Sequence, residues 1–172
     1  IMANKKIPIT RISKFFGSED FQLEQNIGME WLHGDLHFNL VLFRVDQKLS
    51  DVDDVYGEAG QEEIRYKPPV EFKAYVKIDR PKMDTYAGGL VKDLEPGNMT
   101  LGVYMKHLVE LDVDINYGDY IGYAETEDKM RYYTVTNDGR VTSDNAHTIG
   151  GYKAFYRTIM CSYVSPNEFK GI

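Results

Sequence analysis

The sequence predicts a mainly β domain: a small β-barrel or sandwich with short helical decoration and an extended N-terminal arm. Several short segments rich in β-branched and aromatic residues are separated by turn signals. One of them, VEFKAYVKID at 70–79, alternates apolar and polar residues with the period of a half-exposed strand. Tyrosine is unusually abundant, at 13 residues, and aromatic side chains suit pleated surfaces and protein interfaces alike.

Each element follows in chain order. Residues 1–26 form a polar lead-in broken by Pro8 and Gly17, expected as an arm, and residues 27–172 form the single β-rich domain. FNLVLFRVD at 38–46 reads as a buried strand. SDVDDVYGEAGQEE is an acidic loop, punctuated by Gly57 and Gly60 and closed by Pro68 and Pro69. In the strand after it, Phe72, Ala74, Val76 and Ile78 share the inner face. MTLGVYM follows the turn residues PGN at 96–98, and KHLVEL carries a short helical turn. DYIGYAE and MRYYTVT are two further strands. TVTNDGRVT reads as a hairpin turning on Asn137, Asp138 and Gly139, with φ > 0 expected at Gly139. GYKAFYRTIMCSYV is a long closing strand, ended by SPNEF.

Charge and cysteine usage narrow the function classes. A net charge of −7 gives no basic surplus of the kind that neutralises phosphates, so sequence-specific DNA binding is not expected. The longest apolar run, FNLVLF, is too short to span a bilayer, and no targeting segment is expected in MANKKIPITRISKFF, which lacks an apolar stretch. The single cysteine, Cys161, lies in the strand-like YRTIMCSYV and reads as a buried structural thiol.

WLHGDLHFNL poses the sharpest chemical question. On an extended segment His33, Asp35 and His37 would project from one side, the raw material of a transition-metal site. A metal-dependent enzyme built on these three is therefore one reading; a polar face near a turn is the other. Only His107 and His147 remain as further imidazoles. In the acidic loop Asp51, Asp53 and Glu62 match positions one, three and twelve of a calcium loop, but Val55 and Tyr56 stand where a ligand and a glycine are needed. The glycine pairs at 88–89 and 150–151 lack the following Lys-Ser/Thr of a phosphate loop, and no G-x-S-x-G elbow occurs. Exposed tyrosines stacking on sugars give a third reading, a carbohydrate-binding sandwich. No cofactor is expected.

Two segments carry a pattern with a family behind it: VDDVYGEAGQEEIRYKPPVEFKAYVKI, and INYGDYIGY followed by MRYYTVTNDG and a last strand ending RTIMCSYVSPNEF. Together they resemble the neck, or head–tail connector, proteins of large tailed bacteriophages. In that family an acidic "fGED" turn precedes an F-x-A-Y strand, a "GD" turn leads into an aromatic strand, and the final strand runs to a glutamate. Here Asp53, Asp54, Tyr56, Gly57 and Glu58 stand at the acidic turn, with Phe72, Ala74 and Tyr75 on the strand after it. Gly118, Asp119 and Tyr120 stand at the GD turn, Tyr133 and Val135 on the next strand, and Asn167, Glu168 and Phe169 in the last segment. The resemblance covers residues 50–170, with a poor match over 82–112.

It implies a non-enzymatic virion protein, assembled in the host cytoplasm into a homo-oligomeric ring of six copies in preference to twelve. Its partners would be a portal-side adaptor above and a tail-terminating protein below. DNA would pass through the channel without sequence-specific binding, which suits an acidic chain.

Overall fold

A computed structural model of the chain describes residues 17–34, 38–46, 64–85, 91–95, 97–139 and 155–169; for 82–85 and 91–95 it describes backbone only. Helix α1 (Ser18–His33) is followed by β1 (Phe38–Phe43), β2 (Val70–Ile78), β3 (Lys82–Thr85), β4 (Val91–Glu95) and β5 (Met99–Tyr104). Helix α2 (Met105–Glu110), β6 (Tyr120–Thr126), β7 (Lys129–Asn137) and β8 (Tyr156–Val164) complete the order.

Six antiparallel strands close into a barrel in the order β1-β2-β5-β8-β7-β6, and β3 and β4 pair as a separate hairpin. The path is a Greek key: β1, β2 and β5 run as neighbours, and β6 returns by way of α2 to lie beside β1. Closure leaves the barrel itself without an open sheet edge, so association through the barrel wall uses side chains and not strand addition.

Alternation fixes the inside. Leu40 and Leu42 of β1, Phe72 and Ala74 of β2, Met99, Leu101 and Val103 of β5, Ile121 of β6, Tyr133 and Val135 of β7, and Ile159 and Cys161 of β8 form one buried cluster. Leu108 of α2 and Ile115 of the loop after it join the same cluster and plug one mouth of the barrel. Cys161 is the buried thiol that the strand pattern predicts, and desolvation pushes it up to about 12, away from thiolate chemistry.

One segment differs from expectation, and another is described only in part. Residues 18–26 of the expected arm are helical: Glu19 and Asp20 sit in the first turn of α1, where the helix dipole favours anions, and the Gly17 N–H donates to Asp20 Oδ2 at 2.6 Å. The expected hairpin partner of the NDG turn, residues 140–142, lies outside the described residues. Among the described residues, the end of β7 pairs with β8, Val135 opposite Cys161 and Asn137 opposite Met160. Gly139 does have φ +68.

Candidate functional site

The site begins where β1 runs on past the barrel. Val45 bridges to Tyr66, the Asp46 N–H donates to the Arg65 carbonyl at 2.7 Å, and the Lys67 N–H donates to the Arg44 carbonyl at 2.8 Å. The two ends of the segment 47–63 thus leave and return side by side. Asp53, Asp54, Tyr56, Gly57 and Glu58 lie within that segment, outside the described residues.

Against this base stands the GD turn. The Gly118 N–H donates to the Val135 carbonyl at 3.0 Å and the Val135 N–H to the Asp119 carbonyl at 2.9 Å, so the turn extends the β6–β7 ladder by one step. Gly118 has φ +83, with open space where a side chain would be. Asp119 is buried, and its role is structural. Its carboxylate accepts from the Asn116 N–H at 2.8 Å, from Arg44 Nε at 3.0 Å and from Arg44 Nη2. The hydrogen bonds that Arg44 donates to Asp119 outweigh burial and hold its guanidinium above its ordinary pKa. Arg44 Nη2 also donates to the Asp114 carbonyl. From the other side, buried Arg157 donates to Asp114 Oδ1 at 3.0 Å and to the Ile115 carbonyl at 3.1 Å. Two arginines therefore clamp the loop 112–119. Beside it Arg44, Lys67, Tyr117 and Gly118 line an open groove of about 900 Å³.

The last segment completes the same lip. Phe169, 4% exposed, stacks on Tyr120 with ring centroids 4.5 Å apart and planes 10° from parallel, and meets Tyr66, Tyr132 and Phe43 edgewise or tilted within 5.3 Å. A turn holds it there, the Glu168 and Phe169 N–H groups both donating to the Ser165 carbonyl. Burial first, and then the Glu168 carboxylate, push the Tyr120 phenol above its ordinary pKa. Gly118, Asp119, Tyr120, Glu168 and Phe169 are thus brought together with both ends of the acidic loop, and Asn167 is exposed on the turn between.

The histidine reading is corrected. His33 ends helix α1, so the extended strand expected to carry it is not what the structure shows at that residue; Asp35 and His37 lie outside the described residues. His33 instead faces His107 of α2, ring centroids 5.7 Å apart, with Glu110 close enough to share a metal. The donor set does not fit one. His107 Nε2 accepts from the Lys73 N–H at 3.0 Å, just past Tyr75, the first β2 residue paired with β5. Its lone pair is used there, so Nδ1 carries the proton, whereas a metal-bound imidazole offers a lone pair to the metal and a proton to its second partner.

That hydrogen bond has a pH signature. Burial is the main cause that lowers the His107 pKa below its ordinary value; His33 and Lys73 add to it, and Glu110 opposes. A histidine depressed in the folded state contributes stability in full above its unfolded pKa, about 6.5. As pH falls below that value the unfolded chain takes up a proton that the folded chain refuses, and stability declines until the folded pKa is passed. Chemical denaturation between pH 8 and pH 5 is expected to show this loss, and His107→Gln, whose side-chain carbonyl can still accept from Lys73, is expected to flatten it. An unchanged slope in the variant would remove His107 as the cause.

Sequence reasoning missed the outer face of α1. Leu23, Ile27 and Trp31, four residues apart, are all exposed, at 59%, 36% and 60%. Their spacing is visible in SEDFQLEQNIGMEWLH, but an arm expected to end at residue 26 divides the ridge between Leu23 and Ile27.

No protein-family model matches the chain, and no curated protein is similar to it. Among the described residues, no helix is long and apolar enough to cross a membrane.

Proposed function

We propose that this chain is a non-enzymatic virion protein of the tailed-phage neck, a homo-oligomeric ring between the DNA-filled capsid and the tail. One observation carries the reading beyond the sequence resemblance. The acidic turn, the GD turn and the final N-E-F segment are far apart in sequence, yet the base of the first, the whole of the second and the whole of the third share one lip of the barrel. The GD turn and the N-E-F segment converge beside the two ends of the segment that carries the acidic turn, and loops presented by a rigid barrel are the usual carriers of recognition. That lip is the surface offered to the portal-side adaptor or to the tail terminator. The acidic balance of the chain suits a channel that DNA must traverse without sticking.

Native mass spectrometry and negative-stain imaging of the purified chain are expected to show a closed ring, six copies in preference to twelve. A phage lacking this gene is expected to yield full capsids and free tails that fail to join, restored by the full chain. A strict monomer together with normal tailed particles from the gene-less phage would overturn the proposal. A truncation that tests the arm should stop at residue 16, because Met29 and Leu32 make α1 part of the packed domain and a cut at 26 removes half the helix.

A further inference from the structure

Helix α1 has two apolar faces. One packs down: Met29 and Leu32 are buried, and Gly28 lies so close to the Tyr104 ring that an added Cβ would come within 2.3 Å of it. The other is the ridge Leu23–Ile27–Trp31, about 12 Å long at the helical rise. Exposed Asp20, Glu24 and Glu30 flank it, and the sixteen residues of α1 include no lysine or arginine. A ridge of three large apolar side chains with an acidic rim is costly to leave in water.

A surface of matching character lies on the outside of β2, β5 and β8. Tyr75, Thr100, Gly102, Tyr156 and Thr158 line a groove of about 370 Å³. Gly102 lets the two tyrosines close over it: a Cβ there would lie 3.0 Å from the Tyr156 ring and 3.6 Å from Tyr75 Cβ. Lys77 stands exposed on its rim, and exposed Met160 pairs across from Thr100. Among the described residues, no carboxylate lines it. Aromatic walls and a lysine rim on one surface meet apolar knobs and an acidic rim on another: the two are complementary in shape and in sign of charge.

We infer that a second copy of this chain seats its α1 ridge on this groove, Trp31 lying against the Tyr75 and Tyr156 rings, with Lys77 facing the acidic rim. The inference rests on the ring reading above and supplies its lateral contact. Ridge and groove are different surfaces, so the contact is head-to-tail and repeats until the ring closes.

The test uses the full-length chain with two variants at exposed positions. Trp31→Glu removes the ridge; Lys77→Glu with Met160→Glu removes the groove side. Each alone is expected to be monomeric by native mass spectrometry, with unchanged circular dichroism. An equimolar mixture retains one good ridge and one good groove, and is expected to give a species of two chains and nothing larger. Trp31 is the sole tryptophan, so its emission reports the contact independently: it is expected to shift to shorter wavelength when the wild type assembles, and in the groove variant only after the Trp31→Glu chain is added. A ring that survives either variant overturns this interface and leaves the ring reading standing. Two monomers that fail to pair on mixing also overturn it. A wild type that stays monomeric at all concentrations and salts refutes the ring reading itself, and this contact with it.

Discussion

Phe169→Ala is expected to lower stability by about 3–5 kcal/mol, the usual cost of emptying a buried phenylalanine site. The ring is 4% exposed and touches four other aromatic rings, so its loss opens a cavity between β1, β6 and β7 with nothing small and flexible to fill it. The residue lies in the polar tail SPNEFKGI, where sequence position alone would suggest a disposable end. For a domain of this size the melting temperature is expected to fall by roughly 10 °C. Phe169→Leu, which keeps much of the volume, is expected to cost less than half as much. The functional consequence follows from the same packing: without the ring, the 165–169 turn is held by little beyond its hydrogen bonds to Ser165, and Glu168 leaves the vicinity of Tyr120. A variant with wild-type stability would show that the segment is not seated on Tyr120, and the shared lip would lose its third member.

The legible parts of the fold are those where a single face is buried. VEFKAYVKI alternates cleanly, and Phe72 and Ala74 point inward as predicted; in MTLGVY the structure buries Met99, Leu101 and Val103 with the same alternation. Helix α1 was hidden for the opposite reason. Its inward positions, Phe21, Gln25, Gly28, Met29 and Leu32, include a glutamine and a glycine, while Leu23, Ile27 and Trp31 put large apolar groups on the outward side. A helix with two apolar faces shows no hydrophobic stripe, and a local pattern cannot tell a core face from an assembly face. The NDG signal was half informative. Its positive φ at Gly139 is a local property that three residues determine, whereas the pairing of β7 with β8, about twenty residues further on, is a tertiary choice made by barrel closure. The site follows the same division. Asp119 could be picked out as a turn residue, but its bond to Arg44, 75 positions away, is a tertiary fact, and it turns a candidate contact into an internal clamp. His33 likewise meets His107 only because α1 and α2 pack together.

Gly139→Val is expected to cost about 2–4 kcal/mol, more than its conformation alone would require. Two effects combine there. At φ +68 a β-branched residue is strained wherever it sits, because its Cβ crowds the neighbouring carbonyl. In addition, the Cβ would fall 2.1 Å from the Thr158 carbonyl oxygen and 2.9 Å from Arg157 Cγ, so strand β8 itself must move. Gly118→Val separates the terms: it has φ +83 but nothing within 4 Å of its Cβ, and is expected to cost only the conformational part, about 1–2 kcal/mol. The consequence at Gly139 reaches the lip, because Arg157 carries the inner half of the clamp on Asp114 and Ile115. Displacing its stem loosens the loop that presents Gly118 and Tyr117. Amide exchange in 112–119 is therefore expected to rise in Gly139→Val and to stay near wild type in regions remote from β8. Equal losses of stability in the two glycine variants would show that the contact with β8 carries no cost, and that the turn relaxes away from the barrel without disturbing the clamp.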